Sequence, residues 1–337
     1  MLAPMAELSH RALRELIHGF FSSFKPNTDR FASAPHTDVL YFTEMISAAG
    51  LLAGGPFEKW YLDNGPCPSS LVYQLLGSDP EQLVKAVVLL NREDCLGIDI
   101  NMGCSAPAIT RTGAGVRWME DPEKAARLIE RLRKVTNKQL SVKIRLGPKN
   151  SLRKETDDAI HKNFPSLLRF CRGLEEAGLD LIILHPRLAS EKFKRRARWE
   201  YVELLRNELT IPVAGNGDIN SIEELTQKAG EGKVMAGRLL IRQPWAFADV
   251  FNGMQHCCRS DDRKKLQINL EETGLCFLEL LANYQPPEFH LSRARRFFMF
   301  FCGNVTWAEY LRNKINREES LSGIEQVWRN YFAEAAV

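Results

Sequence analysis

Up to about residue 251, short apolar runs alternate with longer stretches in which apolar residues recur every three or four positions. The short runs predict strands and the longer stretches amphipathic helices. Eight strand–helix units count out. The strands fall at 2–5, 38–42, 70–75, 97–101, 140–146, 181–185, 211–215 and 233–237. Ser9, Thr43, the Ser78-Asp79-Pro80-Glu81 turn, Asp121 ahead of Pro122, and Ser221 are placed as N-caps of the helices that follow. Beyond residue 252 only helical spacing remains, at 266–283, 288–302 and 306–334.

Strands alternating with helices predict a parallel sheet, and eight units in about 250 residues match a closed (β/α)8 TIM barrel. A doubly wound open sheet is the alternative. The polar residues favour the barrel: Gln74, Asn101, Lys143, Arg145, His185, Asn216, Asp218 and Arg238 all lie at or just after strand C-termini. In a barrel those ends converge on one face, where sites are built. The expected organisation is a barrel over 1–251 and a C-terminal all-α helical domain over 252–337.

Composition changes this picture little. With 337 residues, 45% of them hydrophobic, the chain can bury a large core. It shows no apolar run of membrane-spanning length and no basic-then-apolar leader, so a cytoplasmic chain without a membrane segment is expected. Eight cysteines without a CxxC pair predict neither a zinc site nor a disulfide framework. A formal charge of +3 does not point to nucleic acid by itself. The local excess at 187–198, RLASEKFKRRAR, does: four Arg and two Lys against one Glu, after the sixth strand and on the expected active face. Arg195 and Arg196 are its centre. In the helical region, Arg293, Arg295 and Arg296 could also meet an RNA backbone, whereas Phe297, Phe298, Phe300 and Phe301 read as core.

The candidate chemistry centres on Cys104, just past the fourth strand and ahead of Gly113 and Gly115. A thiol on a strand-end loop is placed for chemistry, although free cysteines are commonly buried as small apolar residues. Glycine turns after the last two strands, AGNGDI at 214–219 and AGRLLI at 236–241, could hold a phosphate with Arg238. Lys143 and Arg145 share one strand face and need an electron-rich partner, either a reduced flavin or Asp99 on the next strand. His185 could hydrogen-bond a cofactor, although taken alone the reading as a satisfied core histidine is favoured.

In order and spacing, the segments APM (3–5), TEMISAAGLL (43–52), QLLG (74–77), DINMGC (99–104), GAG (113–115), VKIRLG (142–147), HPR (185–187) and GNGDI (215–219), with GR and PW within 237–245, resemble the tRNA-dihydrouridine synthases. The resemblance implies an FMN-dependent barrel enzyme with a helical RNA-binding domain. It implies FMN contacts at Pro4, Met5, Gln74, Lys143 and His185, and phosphate contacts at Asn216, Gly217, Asp218, Gly237 and Arg238. It further implies substrate contacts at Asn101 and Arg187; Arg145, from its strand face, is placed with them, and Arg195 and Arg196, from the basic run, on the RNA backbone. Cys104 matches the general acid. The implied reaction takes electrons from NADPH through FMN, with hydride to uracil C6 and a proton from Cys104 to C5, on a base flipped from its stack. A monomer without metal is expected. The chain departs from the family pattern at Ser105 and Pro107, which replace Pro and Lys after the cysteine, and at Leu188-Ala189 after HPR. These departures define a second reading, a family member acting on another RNA or holding flavin without catalysis. A third, a small-molecule FMN oxidoreductase, is disfavoured by the helical region.

Overall fold

The computed structural model describes residues 1–22, 39–148, 164–255 and 266–335. Seven parallel strands pair in chain order: β1 (Tyr41–Ser47), β2 (Leu71–Leu76), β3 (Gly97–Met102), β4 (Gln139–Gly147), β5 (Leu181–Leu188), β6 (Val213–Asn216) and β7 (Val234–Met235). The N-terminal stretch joins the two edges. Leu2 bridges both Tyr41 and Ala236 in parallel, its N–H donating to the Leu40 carbonyl at 2.8 Å while Ala3 N–H donates to the Ala236 carbonyl at 2.8 Å. The stretch at 2–5 is therefore a closing stave of one bridged residue, and the fold is a (β/α)8 barrel rather than an open sheet.

Strands covered on both sides are buried throughout, and β3 and β5 have no exposed residue. Period-two alternation sends Ile98, Ile100, Val142 and Ile144 outward to the helices and Asp99, Asn101, Ser141, Lys143 and Arg145 inward. The barrel floor is apolar, built from Ala3, Phe42, Val72, Ile183, Ala214 and Met235. Polar side chains take over toward the strand C-termini.

The main barrel helices are α1 (Arg11–Ser22), α2 (Ala48–Ala53), α3 (Pro80–Leu90), α4 (Pro122–Arg133), α5 (Phe164–Glu176), α6 (Glu200–Glu208), α7 (Ile222–Gly230), α8 (Arg238–Arg242) and α9 (Ala246–Gln255). Asp79, Asp121 and Ser221 cap α3, α4 and α7 as expected. Two expected caps do other work. β1 runs on through Thr43, which is buried and accepts the Gln74 N–H at 3.0 Å, and Ser47 caps α2 instead. Ser9 Oγ accepts the Met5 N–H at 2.8 Å and donates to the Met5 carbonyl, closing the turn after Pro4.

Four C-terminal helices follow: α10 (Leu270–Tyr284), α11 (Pro287–Phe301), α12 (Ala308–Arg317) and α13 (Leu321–Ala335). The stretch 306–334, expected as one continuing pattern, is two helices because Glu318 leaves helical geometry at ψ 142. The expected boundary at residues 251/252 falls within α9. One apolar cluster holds Leu13 and Ile17 of α1 together with Phe277, Phe297, Phe301 and Trp328, all buried. Phe277 and Phe297 stack at 3.7 Å, and the Trp328 indole donates to the Glu271 carbonyl at 3.0 Å. Arg293 makes a buried ion pair with Glu44 of β1 at 2.9 Å, so this guanidinium is committed within the protein and does not face RNA. Arg296 pairs with Glu7 at 2.7 Å.

Candidate active site

The strand C-termini enclose a cavity of about 400 Å³. Its lining includes Pro4, Met5, Asn101, Cys104, Lys143, Arg145, His185, Arg187, Asn216, Gly217, Asp218, Gly237 and Arg238. Of the residues picked out from the sequence, Gln74, Arg195 and Arg196 do not line it.

The Cys104 wall is assembled by hydrogen bonds rather than ion pairs. Asn101 Oδ1 accepts the backbone N–H groups of Gly103 and Cys104 at 3.2 and 2.9 Å. Its Nδ2 donates to Gln74 Oε1 at 2.9 Å, Gln74 Nε2 donates to Asp99 at 2.7 Å, and Ser141 Oγ donates to the other Asp99 oxygen at 2.6 Å. Gln74 is thus buried behind the wall with both ends of its amide in use. Asp99 is also fully buried, and burial pushes its carboxyl up to about 6 against the hydrogen bonds and Lys143 that favour the charged form. Arg145 Nε donates to the Gly103 carbonyl at 3.0 Å, holding the loop from the β4 side. From above, Val116 N–H donates to the Cys104 carbonyl at 3.0 Å, and at Gly115, with φ +64, a Cβ would come within 2.4 Å of that oxygen. Only glycine fits there.

Lys143 is half-buried and has no ion-pair partner among the described residues. Burial, with Arg145 nearby, lowers its ammonium to about 8, while Asp99 and Cys104 favour its charge. Asp99 does not bond Lys143 directly, so the internal ion pair considered from sequence does not form.

The opposite wall is held by charge. Arg187 is buried and donates through NH2 to both oxygens of Asp218 at 2.5 and 2.6 Å, through Nε to the Arg195 carbonyl at 2.5 Å, and through NH1 to His185 Nε2 at 3.0 Å. Because a guanidinium only donates, Nε2 accepts and the His185 proton resides on Nδ1. Burial and the cations Lys143, Arg145, Arg187 and Arg238 drive His185 far below its ordinary pKa, so it is neutral. Asp218, expected at a phosphate, spends its carboxylate on Arg187 and the Ala197 N–H at 2.7 Å. Arg187 in turn keeps a single N–H for anything in the cavity. Arg198 is held bidentate by the buried Glu191, at 2.8 and 2.7 Å. Two of the six cations at 187–198 are therefore internally neutralised, leaving Lys192, Lys194, Arg195 and Arg196 exposed.

Sequence reasoning missed several residues. Phe193 is 63% exposed at the cavity mouth with the Arg238 guanidinium 5.1 Å from its ring. Phe300 reaches the lining from α11, and Met45 from the extended β1. Trp199 Nε1 donates to the Gly217 carbonyl at 3.0 Å while its ring fills the space beside Gly215. An exposed aromatic inside a basic run was the available signal for Phe193; the others required the fold.

A family model described as dihydrouridine synthase (Dus) matches residues 1–335. The chain belongs to the dihydrouridine synthase family. Among curated relatives of this synthase family, an Aquifex aeolicus protein named "Probable tRNA-dihydrouridine synthase" is 31% identical over 84% of this chain and 78% of its own. A Synechocystis protein named "Probable tRNA-dihydrouridine synthase 1" is 25% identical over 82% of this chain and 74% of its own. A rat protein whose name specifies tRNA-dihydrouridine(47) and NAD(P)(+) is 29% identical over 69% of this chain and 35% of its own. Among the described residues, no helix is long and apolar enough to cross a membrane, and no group of three His, Cys, Asp or Glu could hold a metal.

Proposed function

We propose that this protein reduces uridines of tRNA to 5,6-dihydrouridine, using FMN and NADPH. The observation that carries the reading is the cavity itself, which brings the Cys104 thiol onto one wall and a glycine-lined cationic recess onto the other, in a chain of the dihydrouridine synthase family. The residues fit a flavin phosphate. Gly217 and Gly237 line the cavity on the two turns, and a Cβ there would meet the His185 ring at 2.9 Å and Met5 Sδ at 3.2 Å, so glycine lets each turn pack close against the cavity's own side chains. Arg238 beside them pairs with no described carboxylate within salt-bridge distance. Pro4, Met5 and Met235 supply an apolar surface for a ring, and Lys143 a cation at its polar edge.

When bound, FMN would supply the two electrons that saturate the uracil C5–C6 double bond. The protein's own part is proton supply and orientation. Lys143 and Arg145 set positive charge beside Cys104, whose thiol would give its proton to uracil C5. Asn101 fixes the thiol's backbone and keeps one Nδ2 N–H for the base. Arg145, anchored to Gly103, holds the same loop against displacement. The exposed cations Lys192, Lys194, Arg195 and Arg196 flank the mouth and suit the phosphates beside a flipped nucleotide.

The test is the visible spectrum of the purified protein, followed by NADPH oxidation and dihydrouridine analysis with unmodified tRNA. Yellow protein that forms dihydrouridine is the expected result. In Cys104→Ala the flavin should persist while product formation falls at least a hundredfold, in the range of a lost general acid. A colourless protein that FMN cannot reconstitute overturns the cofactor assignment. A flavoprotein inactive on every tRNA supports instead a member acting on another RNA, the reading that Ser105 and Pro107 raise.

A further inference from the structure

One flank of α12 carries a stripe unlike the rest of the surface. Trp307, Tyr310, Lys314 and Arg317 follow one another at helical spacing, alongside the buried Leu311 and Ile315. The Trp307 side chain is 81% exposed and Tyr310 54% exposed, so two of the largest apolar rings in the molecule are left in water. Among the described residues no ring or cation stacks on the Trp307 indole. The Tyr310 ring is already backed by Lys314, whose ammonium is 4.6 Å from its centroid.

Trp307 is also held in an uncommon backbone conformation, φ 55 and ψ 31. For a bulky residue this left-handed geometry persists only where neighbours enforce it. Here they do. Tyr331 OH donates to the Thr306 carbonyl at 2.8 Å, and Leu311 N–H donates to the Trp307 carbonyl at 3.1 Å, pinning the backbone on either side. The outcome is an indole projected at the start of a helix on a fixed base.

The stripe is connected to the cavity through packed elements. Phe300 of α11 lines the cavity, and the turn after it, Cys302–Asn304, meets the end of α8: Asn304 donates to the Arg242 carbonyl, and Gly303 lies against the Arg242 side chain. α8 begins at Arg238 on the cavity wall.

We propose that Trp307 and Tyr310 form a second RNA contact, a platform on which unpaired bases of the substrate RNA stack, with Lys314 and Arg317 on the flanking phosphates. This inference rests on the RNA substrate proposed above. Aromatic faces stack on any base, and cations alongside follow the backbone, so the pairing suits single-stranded or looped nucleotides. A second copy of this chain fits less well. Trp307 and Tyr310 are the only exposed large apolar side chains among the described residues of α12, and two rings cover far less than a stable dimer contact buries.

The experiment measures the affinity of FMN-loaded protein for an unmodified tRNA transcript, together with kcat and KM for dihydrouridine formation. Trp307→Ala and Tyr310→Ala are each expected to weaken binding roughly tenfold and raise KM, the scale of a lost base–aromatic stack. Flavin content and kcat at saturating RNA should hold, and Trp307→Phe should keep most of the affinity. Addition of tRNA should quench an indole signal present in the wild type and missing from Trp307→Phe. Unchanged affinity and KM in an enzyme that still reduces tRNA would overturn the platform while leaving the activity standing. So would a Trp307→Ala variant that loses self-association but not RNA affinity. If the wild type forms no dihydrouridine, the proposed activity fails, and the affinity comparison still decides the platform.

Discussion

The two walls of the cavity are built by different physics. On the Cys104 side, the loop is fixed by amide and hydroxyl hydrogen bonds running from Ser141 through Asp99, Gln74 and Asn101 to the Cys104 N–H, with Gly115 as a lid of bare backbone. On the other side, Arg187–Asp218 and Arg198–Glu191 act as ion-paired clasps. None of the hydrogen bonds described above for the first wall involves a side chain of Ser105 or Pro107, so those departures leave its framework in place. The second wall shows that a basic run cannot be counted at face value. A cation with a buried carboxylate partner organises the loop, and only the unpaired remainder meets solvent.

The comparison breaks most visibly at Glu191. Glu191→Ala removes the buried carboxylate that accepts from both Arg198 and the Leu188 N–H, and stability should fall by about 3–5 kcal/mol, read as a lower urea midpoint with an unchanged slope. Arg198→Met with Glu191→Gln in the same chain should recover much of it, which a loss caused by shape alone would not.

Acid should act on the walls in opposite directions. Burial raises Glu191 and Asp218, but the hydrogen-bonded guanidinium on each outweighs it and holds both below the ordinary carboxylate range. Their contribution is present above that range and lost as pH falls below it, through their depressed folded values. Asp99 behaves in reverse. Its folded carboxyl binds a proton more tightly than an unfolded one, so its share of stability is full below pH 4 and lost as pH rises from about 4 to about 6. Asp99→Asn should remove that fall, on the order of 2 kcal/mol, from urea midpoints measured across the window. A pH profile identical to the wild type would mean that the Asp99 carboxyl is already ionised throughout.

The smallest effect concerns the unpaired cations. Arg195→Glu with Arg196→Glu should lower tRNA affinity about tenfold at low salt and flatten its salt dependence, with flavin content unchanged. Equal affinity at low salt would place the RNA path elsewhere.

The polar inner face was legible because period-two alternation is a local property: Lys143 and Arg145 had to share a side, and His185 had to follow them into the barrel. The glycine turns at 217 and 237 were legible for the same reason. Partner choice was not. Whether Asp218 meets a phosphate or Arg187 depends on how the loops after β5 and β6 meet, which no spacing encodes. Thr43 and Ser9 have the chemistry of helix caps, and the barrel used their hydroxyls on Gln74 and Met5 instead, a case of tertiary contacts overriding a local preference. Phe300 looked like core at its position in α11, and only the packing of that helix against the barrel brings it to the cavity.

Leu2 touches both edges of the sheet, which gives the first residues of the chain a delayed role. As the ribosome releases the protein, Leu2 can pair with Tyr41 early, but its second bridge must wait until Ala236 has been made. Until then the barrel has an open seam, and Pro4 and Met5 have no Gly237 opposite them. The nascent chain therefore completes this recess only after nearly all of the barrel has been synthesised, and loading of the proposed flavin would report that the ring has closed.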